Sequence, residues 1–155
     1  MFTFKSKMPF IKVWIHFVWA TKNRQPLLTD EIRSALFDHI KQNALRKQIY
    51  LDRINGYVDH VHCLISLSSD QTIEKTIQLV KGESSFWLNN KSGLKIPKIE
   101  WQDKYFAVSI GESSIGTVRA YIENQAIHHQ KKTFAEEYDE FIKKYGFVHS
   151  AKALK

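Results

Sequence analysis

The run Asp59-His60-Val61-His62-Cys63-Leu64-Ile65-Ser66-Leu67 constrains this chain more than any other segment. It is apolar and β-branched around two imidazoles, and its length suits one strand. In a strand, residues i and i+2 point to the same face. His60 and His62 therefore project together, while Val61, Cys63, Ile65 and Leu67 go to the other side. A fold built around this segment needs a sheet with one face packed on helices and the other carrying polar groups.

The rest of the chain supplies such a sheet. Residues 11–20 are β-branched and aromatic and read as a first strand. Thr29 is placed to cap a helix with Ile32, Leu36, Phe37, Ile40 and Ala44 on its apolar side. Residues 49–58 read as the second strand and 61–67 as the third, joined tightly around Asp59. Asp70 is expected to cap the next helix, whose stripe is Ile73, Ile77, Val80 and Trp87. After a loop at 93–97, residues 105–110 read as a fourth strand. Ser113 or Ser114 opens a helix running towards His129. Thr133 and Glu136 have capping-box spacing for a last helix, with Phe134, Tyr138, Phe141 and Tyr145 as its stripe and Gly146 as its stop. The order β-α-β-β-α-β plus two helices predicts an α+β, ferredoxin-like antiparallel sheet with helices over one face. The second face is left for the extra helices or for a ligand.

Composition narrows the class. The chain has 155 residues, 43% hydrophobic and 13% aromatic, enough for one domain with a real core and against disorder. A net charge of +7 favours a polyanionic partner such as nucleic acid without identifying one. The single cysteine, Cys63, excludes an intrachain disulfide, and a buried thiol fits a reducing, cytoplasmic setting. The apolar stretch Met8 to Ala20 is interrupted by Lys12 and His16 and is too short to span a bilayer, so no membrane association is expected.

Two constellations carry chemistry. Parallel imidazoles at His60 and His62 can chelate one cation if a third ligand joins them, and a hard, open site suits Mg²⁺ or Mn²⁺ in contact with phosphate oxygens. The plain alternative is a pair of half-buried histidines without a ligand. Tyr121 and Gln125 lie four apart on a helix and share a face. If that helix covers the histidines, Gln125 offers its carbonyl oxygen as the third ligand and Tyr121 points at a metal-bound phosphate; His128 and His129 follow within the next turn. A phenol is a poor nucleophile until a cation draws charge from the phosphate it attacks. The alternative for Tyr121 is a core aromatic.

These residues, with His16-Phe17-Val18-Trp19-Ala20-Thr21-Lys22-Asn23-Arg24, Trp101-Gln102-Asp103-Lys104-Tyr105, Ser109, Tyr121-Ile122-Glu123-Asn124-Gln125 and His128-His129 in this order, give the chain its likeness. It resembles the HUH-type single-tyrosine transposases, the insertion-sequence 200/605 group with its REP-associated relatives. The likeness spans nearly the whole chain, although Lys104 stands where a glycine is common. It implies one transposase domain over 1–155, with a catalytic core at about 10–130 and a C-terminal helix at about 133–146. It further implies that the C-terminal helices carry a catalytic Tyr121, and that His60, His62 and Gln125 bind Mg²⁺ or Mn²⁺. Tyr121 would attack single-stranded DNA bearing hairpins, leaving a 5′-phosphotyrosine and a free 3′-OH that is later rejoined. The resemblance also implies a homodimer whose sheets merge, with the tyrosine acting on its own or the partner's metal site.

Lys22, Arg24, Arg53, Lys104, Arg119, Lys131 and Lys132 are candidate phosphate contacts, against the alternative of a solvated charged face. Trp14, Trp19, Trp87 and Trp101 either stack on unpaired bases or, the better expectation, pack the core. His16 and His39 read as structural. Asp59 makes the turn or orients a neighbouring histidine, with the turn favoured. Two rival functions share the fold: a module that holds DNA or RNA hairpins without cutting them, and a metal nuclease that uses activated water.

Overall fold

The computed structural model describes residues 9–146. Strands β1 (Val13–Thr21), β2 (Tyr50–Gly56), β3 (His60–Leu67) and β4 (Trp101–Ile110) form one sheet in the order β2-β3-β1-β4. All three pairings are antiparallel. This is the ferredoxin-like arrangement anticipated from the element order. Met8 lies outside the described residues. Among those described, no helix is long and apolar enough to cross a membrane.

Side-chain alternation divides the sheet into two faces. Ile15, Phe17 and Trp19 of β1 and Val61, Cys63, Ile65 and Leu67 of β3 enter the larger core. Helix α1 (Asp30–Arg46) closes this face with Ile32, Leu36, Ile40 and Ala44, and Thr29 caps it through a bond from the Ile32 amide. Cys63 is fully buried here, away from the histidines, and burial pushes its thiol far up from its ordinary value.

The next helical stretch departs from the expected pattern. Its cap is Thr72, which accepts from the Lys75 amide, because the Asp70 carboxylate is taken by the Ser68 hydroxyl at 2.6 Å. Helix α2 (Ile73–Ile77) runs through a π-helical turn (Gln78–Gly82) into α3 (Glu83–Asn90). The wider turn shifts the stripe. Ile77, Val80, Ser84 and Leu88 are buried, Trp87 is partly covered and Ile73 is exposed. The fourth strand also starts earlier than expected, at Trp101, since its first residues continue pairing with β1 around an irregularity near Thr21.

The opposite face bears Trp14, His16, Val18, His60, His62 and Leu64, and the C-terminal helices cover it. These are α4 (Ile115–Glu123), the short α5 (Gln125–His128) and α6 (Phe134–Lys144). Ile115 and Ile122 of α4, two turns apart, pack on Trp14 and Leu64. Phe134 of α6 packs on Val18 and Ala20, with Tyr138 and Phe141 beside it. The polar residues of the face are caught between these two apolar clusters. Helix α6 opens with the expected capping box between Thr133 and Glu136 and is followed by Gly146 at φ 69°.

One backbone approach fixes the β2–β3 hairpin next to His60. A Cβ built on Gly56 would lie 2.2 Å from the His60 carbonyl oxygen, a group that cannot rotate away. Gly56→Ala is therefore expected to lower stability by about 1–3 kcal/mol through overpacking. A shifted urea midpoint at unchanged slope would be the sign of it; an unchanged midpoint would mean that the hairpin has room to spread.

Candidate metal and tyrosine site

Helix α4 is held over the sheet by polar ties from β2. A bulge between Leu51 and Arg53 turns Asp52 out of register. Asp52 then takes a forked contact from Arg119, at 2.7 Å and 3.0 Å. Arg53 donates to Glu123 at 2.6 Å, and the Asn55 amide donates to the Ile122 and Glu123 carbonyls at 3.0 Å and 3.1 Å. Asn55 thus satisfies the end of the helix that carries Tyr121, where carbonyls have no intrahelical donor.

The chain does not continue as one helix from Tyr121 to Gln125, as its spacing predicted. Asn124 leaves helical geometry at φ −99°, ψ 27°, and α5 restarts at Gln125. The pair still share a side: the Gln125 amide nitrogen donates to the Tyr121 carbonyl at 3.2 Å. That bond aims the Gln125 carbonyl oxygen inward, 3.1 Å from His60 Nε2 and 3.2 Å from His129 Nε2. His60, His62 and Gln125 are all fully buried.

Outer contacts fix the imidazoles. Asp59, besides forming the hairpin connection, accepts from His60 Nδ1 at 2.7 Å, so it orients this ring and leaves Nε2 facing inward. His129 donates through Nδ1 to the Lys132 carbonyl at 2.7 Å, which turns its Nε2 the same way. His62 Nδ1 lies 2.9 Å from His16 Nε2. His16, from the middle of β1, therefore belongs to the polar centre; its even parity with Trp14 and Val18 was the available signal. Burial first, then His62, pushes His16 down to about 3, and burial pushes His62 down to about 4 despite a neighbouring carboxylate. Both are neutral at physiological pH, the state a metal ligand requires.

That carboxylate is Glu137 of α6, which the sequence reading missed. It falls among Phe134, Tyr138 and Phe141 on the inner stripe, so an acid in an apolar helical face was the signal to follow. One oxygen lies 2.9 Å from His62 Nε2 and 3.9 Å from His60 Nε2. The other lies 2.8 Å from His128 Nε2 and 3.1 Å from His129 Nε2. Glu137 is 1% exposed, yet its oxygens and His62 Nε2 have no aligned hydrogen bond among the described residues. Burial works to raise its carboxyl, but His129 and His62 outweigh that and hold it well below the carboxylate range. His60, His129 and Glu137 have donor atoms close enough together to share one metal ion.

Tyr121 stands at the edge of this cluster in the same chain. Its ring centroid is 5.6 Å from that of His62, and its hydroxyl is 3.4 Å from His128 Nε2. Burial, then the Glu137 carboxylate, holds the phenol above its ordinary value, so it is protonated at rest. A cleft of about 590 Å³ opens beside it, lined by Tyr121, Asn124, His128, Lys131 and Lys132 among others.

The candidate phosphate contacts divide by surroundings. Lys131 and Lys132 line the tyrosine cleft, and Lys132 also pairs with Glu140. Arg24 lies over the Phe134 and Tyr138 rings and, with Lys104, lines a second cleft of about 950 Å³ beside α6. Arg53 and Arg119 are engaged in tying α4 to β2, and Lys22 pairs with Glu100 at 3.4 Å. Trp14 and Trp19 are buried in the two cores, as expected. His39 stacks on Trp87 at 4.1 Å and contacts Glu83, the structural role read for it.

Comparison with known proteins gives consistent matches. The pattern of the family described as "Transposase IS200 like" matches residues 10–125. The ISDra2 transposase TnpA of Deinococcus radiodurans is 24% identical over 118 residues, covering 71% of this chain and 81% of that protein. A crystal structure described as that of a transposase from Deinococcus radiodurans R1 superposes with a TM-score of 0.60 at 26% identity, covering 76% of this chain and 93% of that one. A REP-associated tyrosine transposase bound to a REP hairpin shares the fold, with a TM-score of 0.59 at 18% identity over 77% of this chain and 70% of that one.

Asn55→Ala removes the donor that both terminal carbonyls of α4 use. It is expected to lower stability by about 1–2 kcal/mol, read from thermal unfolding. No change would mean that Arg119 and the apolar stripe hold the helix unaided.

Proposed function

The chain belongs to the family of IS200-like transposases, and on that premise we propose that it cuts and rejoins single-stranded DNA with Tyr121 as nucleophile and His60, His62 and Gln125 as ligands of a divalent metal. The observation that carries this reading is the packing of Tyr121 against His62, at the rim of a buried cluster of nitrogen and oxygen donors. The donor set fits a cation: buried Glu137 and His62 atoms lack aligned partners, and His60 and His129 turn Nε2 towards the Gln125 oxygen. Mg²⁺ or Mn²⁺ bound there would draw charge from the scissile phosphate.

The residues of the chain supply the remaining steps. The Tyr121 oxygen attacks phosphorus and forms a phosphotyrosyl bond on the 5′ side, while the bond from phosphorus to the 3′ oxygen breaks. The phenol proton passes to the neighbouring His128 ring, and the departing oxygen takes up a proton as a free 3′-OH. The tyrosyl ester conserves the energy of the broken linkage, and its phenolate is a better leaving group than an alkoxide. Attack by a DNA 3′-OH then rejoins strands without ATP. Lys131 and Lys132, beside Tyr121, are proposed to hold the backbone near the nucleophile. Arg24 and Lys104 are proposed to extend the contact along the second cleft, with Lys22, Arg53 and Arg119 serving at the periphery.

DNA with hairpin ends is the proposed substrate, consistent with the REP hairpin bound by the tyrosine transposase of the same fold. A homodimer is the proposed assembly; β4 is an edge of the sheet, so a merged sheet has a strand to build on.

The test is a denaturing gel of the protein with labelled single strands from both flanks of its own gene. A covalent adduct is expected with Mn²⁺ or Mg²⁺, and it should vanish in Tyr121→Phe and in His60→Ala. Tight hairpin binding without any adduct would replace this reading with a non-cleaving binding module. Cleavage that survives Tyr121→Phe would indicate attack by water instead.

A further inference from the structure

Helix α6 lies beyond the residues that match the family, yet its Glu137 reaches the centre of the polar cluster. The capping box at Thr133 sets the helical phase, and residues 134, 137, 138 and 141 then share one side. Three of these are aromatic and cover the sheet; the fourth is an acid buried to 1% exposure. A carboxylate in such a face is costly unless donors or positive charge meet it, and Glu137 faces the rings of His62, His128 and His129.

The spacing of the inward atoms accommodates a small divalent cation. Octahedral coordination with metal–ligand distances of about 2.1 Å puts neighbouring ligands about 3 Å apart. His60 Nε2 to the Gln125 oxygen is 3.1 Å, and His129 Nε2 to the same oxygen is 3.2 Å. Glu137 is 3.1 Å from His129 Nε2 through one oxygen and 2.9 Å from His62 Nε2 through the other. At His60 and His129, Nδ1 meets an outward acceptor, so Nε2 is the nitrogen that faces the Gln125 oxygen. His60, His62 and Gln125 are neutral donors, and a hard divalent ion prefers a carboxylate among its ligands. Among the described residues, the other acid paired with these rings is Asp59, and it is engaged on His60 Nδ1.

We propose that Glu137 is the anionic ligand of the metal, so that metal binding and docking of α6 over the sheet are one coupled event. This rests on the metal-binding reading of His60, His62 and Gln125 given above. Its consequence is a site whose metal affinity depends on a helix outside the family-matched segment. Phe134 stacks on His60 at 4.2 Å, and Phe141 packs near both His16 and His62, so the docked helix also shields the ligands from water.

The test is Mn²⁺ binding to the full chain by titration calorimetry, without DNA, alongside limited proteolysis of the 129–133 connection. Wild type should bind Mn²⁺ and become protected in that connection; Glu137→Gln should bind roughly tenfold more weakly or worse and gain little protection. Glu137→Asp, which keeps the charge but shortens the arm, should fall between, and it serves if the Gln variant fails to fold. Asp139→Asn, exposed on the same helix, should behave as wild type. If Glu137→Gln binds Mn²⁺ as tightly as wild type, or more tightly, while His60→Ala abolishes binding, the metal site stands and Glu137 is not its ligand. If wild type binds no Mn²⁺, the metal reading itself fails, and this inference with it.

Discussion

The structure depends on a polar cluster buried between a β-sheet and the helices that return over it. His16, His60, His62, Gln125 and Glu137 are each 4% exposed or less. Polar groups taken out of water must be paired, or the fold loses several kcal/mol for each. The C-terminal region is organised by that demand. Asp59 and the Lys132 carbonyl each hold the outward nitrogen of a ring, and the Gln125 side chain bonds back to the Tyr121 carbonyl. Two apolar clusters, around Ile122 on one side and Phe134 on the other, keep solvent from the centre.

This arrangement explains why Tyr121 belongs to the site while remaining inert at rest. Its helix is bound to β2 through Asp52, Arg53 and Asn55, and its ring is held against His62. Burial and the nearby carboxylate keep the phenol protonated. In the proposed reaction, reactivity has to come from charge stabilisation at the phosphate, because the ground-state phenol is not activated. The same enclosure leaves the cleft lined by Tyr121, His128, Lys131 and Lys132 as the open side of the cluster, the route of the proposed DNA backbone.

Much of this was legible in the chain because it is local. The period-two pattern of residues 60–67 assigned His60 and His62 to one face and Cys63 to the other. The Thr133–Glu136 spacing announced the capping box, and Thr29 its helix. Errors arose where a neighbour competes for a group or where the helical phase slips. Asp70 looked like a cap but its carboxylate is held by Ser68, and the π turn at Gln78–Gly82 moved burial from Ile73 towards Ser84 and Leu88. Neither the break at Asn124 nor the bulge at Asp52 has a strong sequence signal, since both are backbone adjustments made to satisfy packing.

The sequence by itself determined the sheet, its two faces, the paired imidazoles and the family, because alternation, capping and motif spacing act over a few residues. Only the tertiary structure decided what meets those imidazoles. His16 arrives from β1 through strand pairing, His129 through the short turn of α5, and Glu137 through the docking of α6 about 75 residues further along the chain. Such convergence depends on where apolar stripes come to rest against the sheet. A helix that buries Phe134 and Phe141 must also bury whatever lies between them on the same side, and here that residue is an acid.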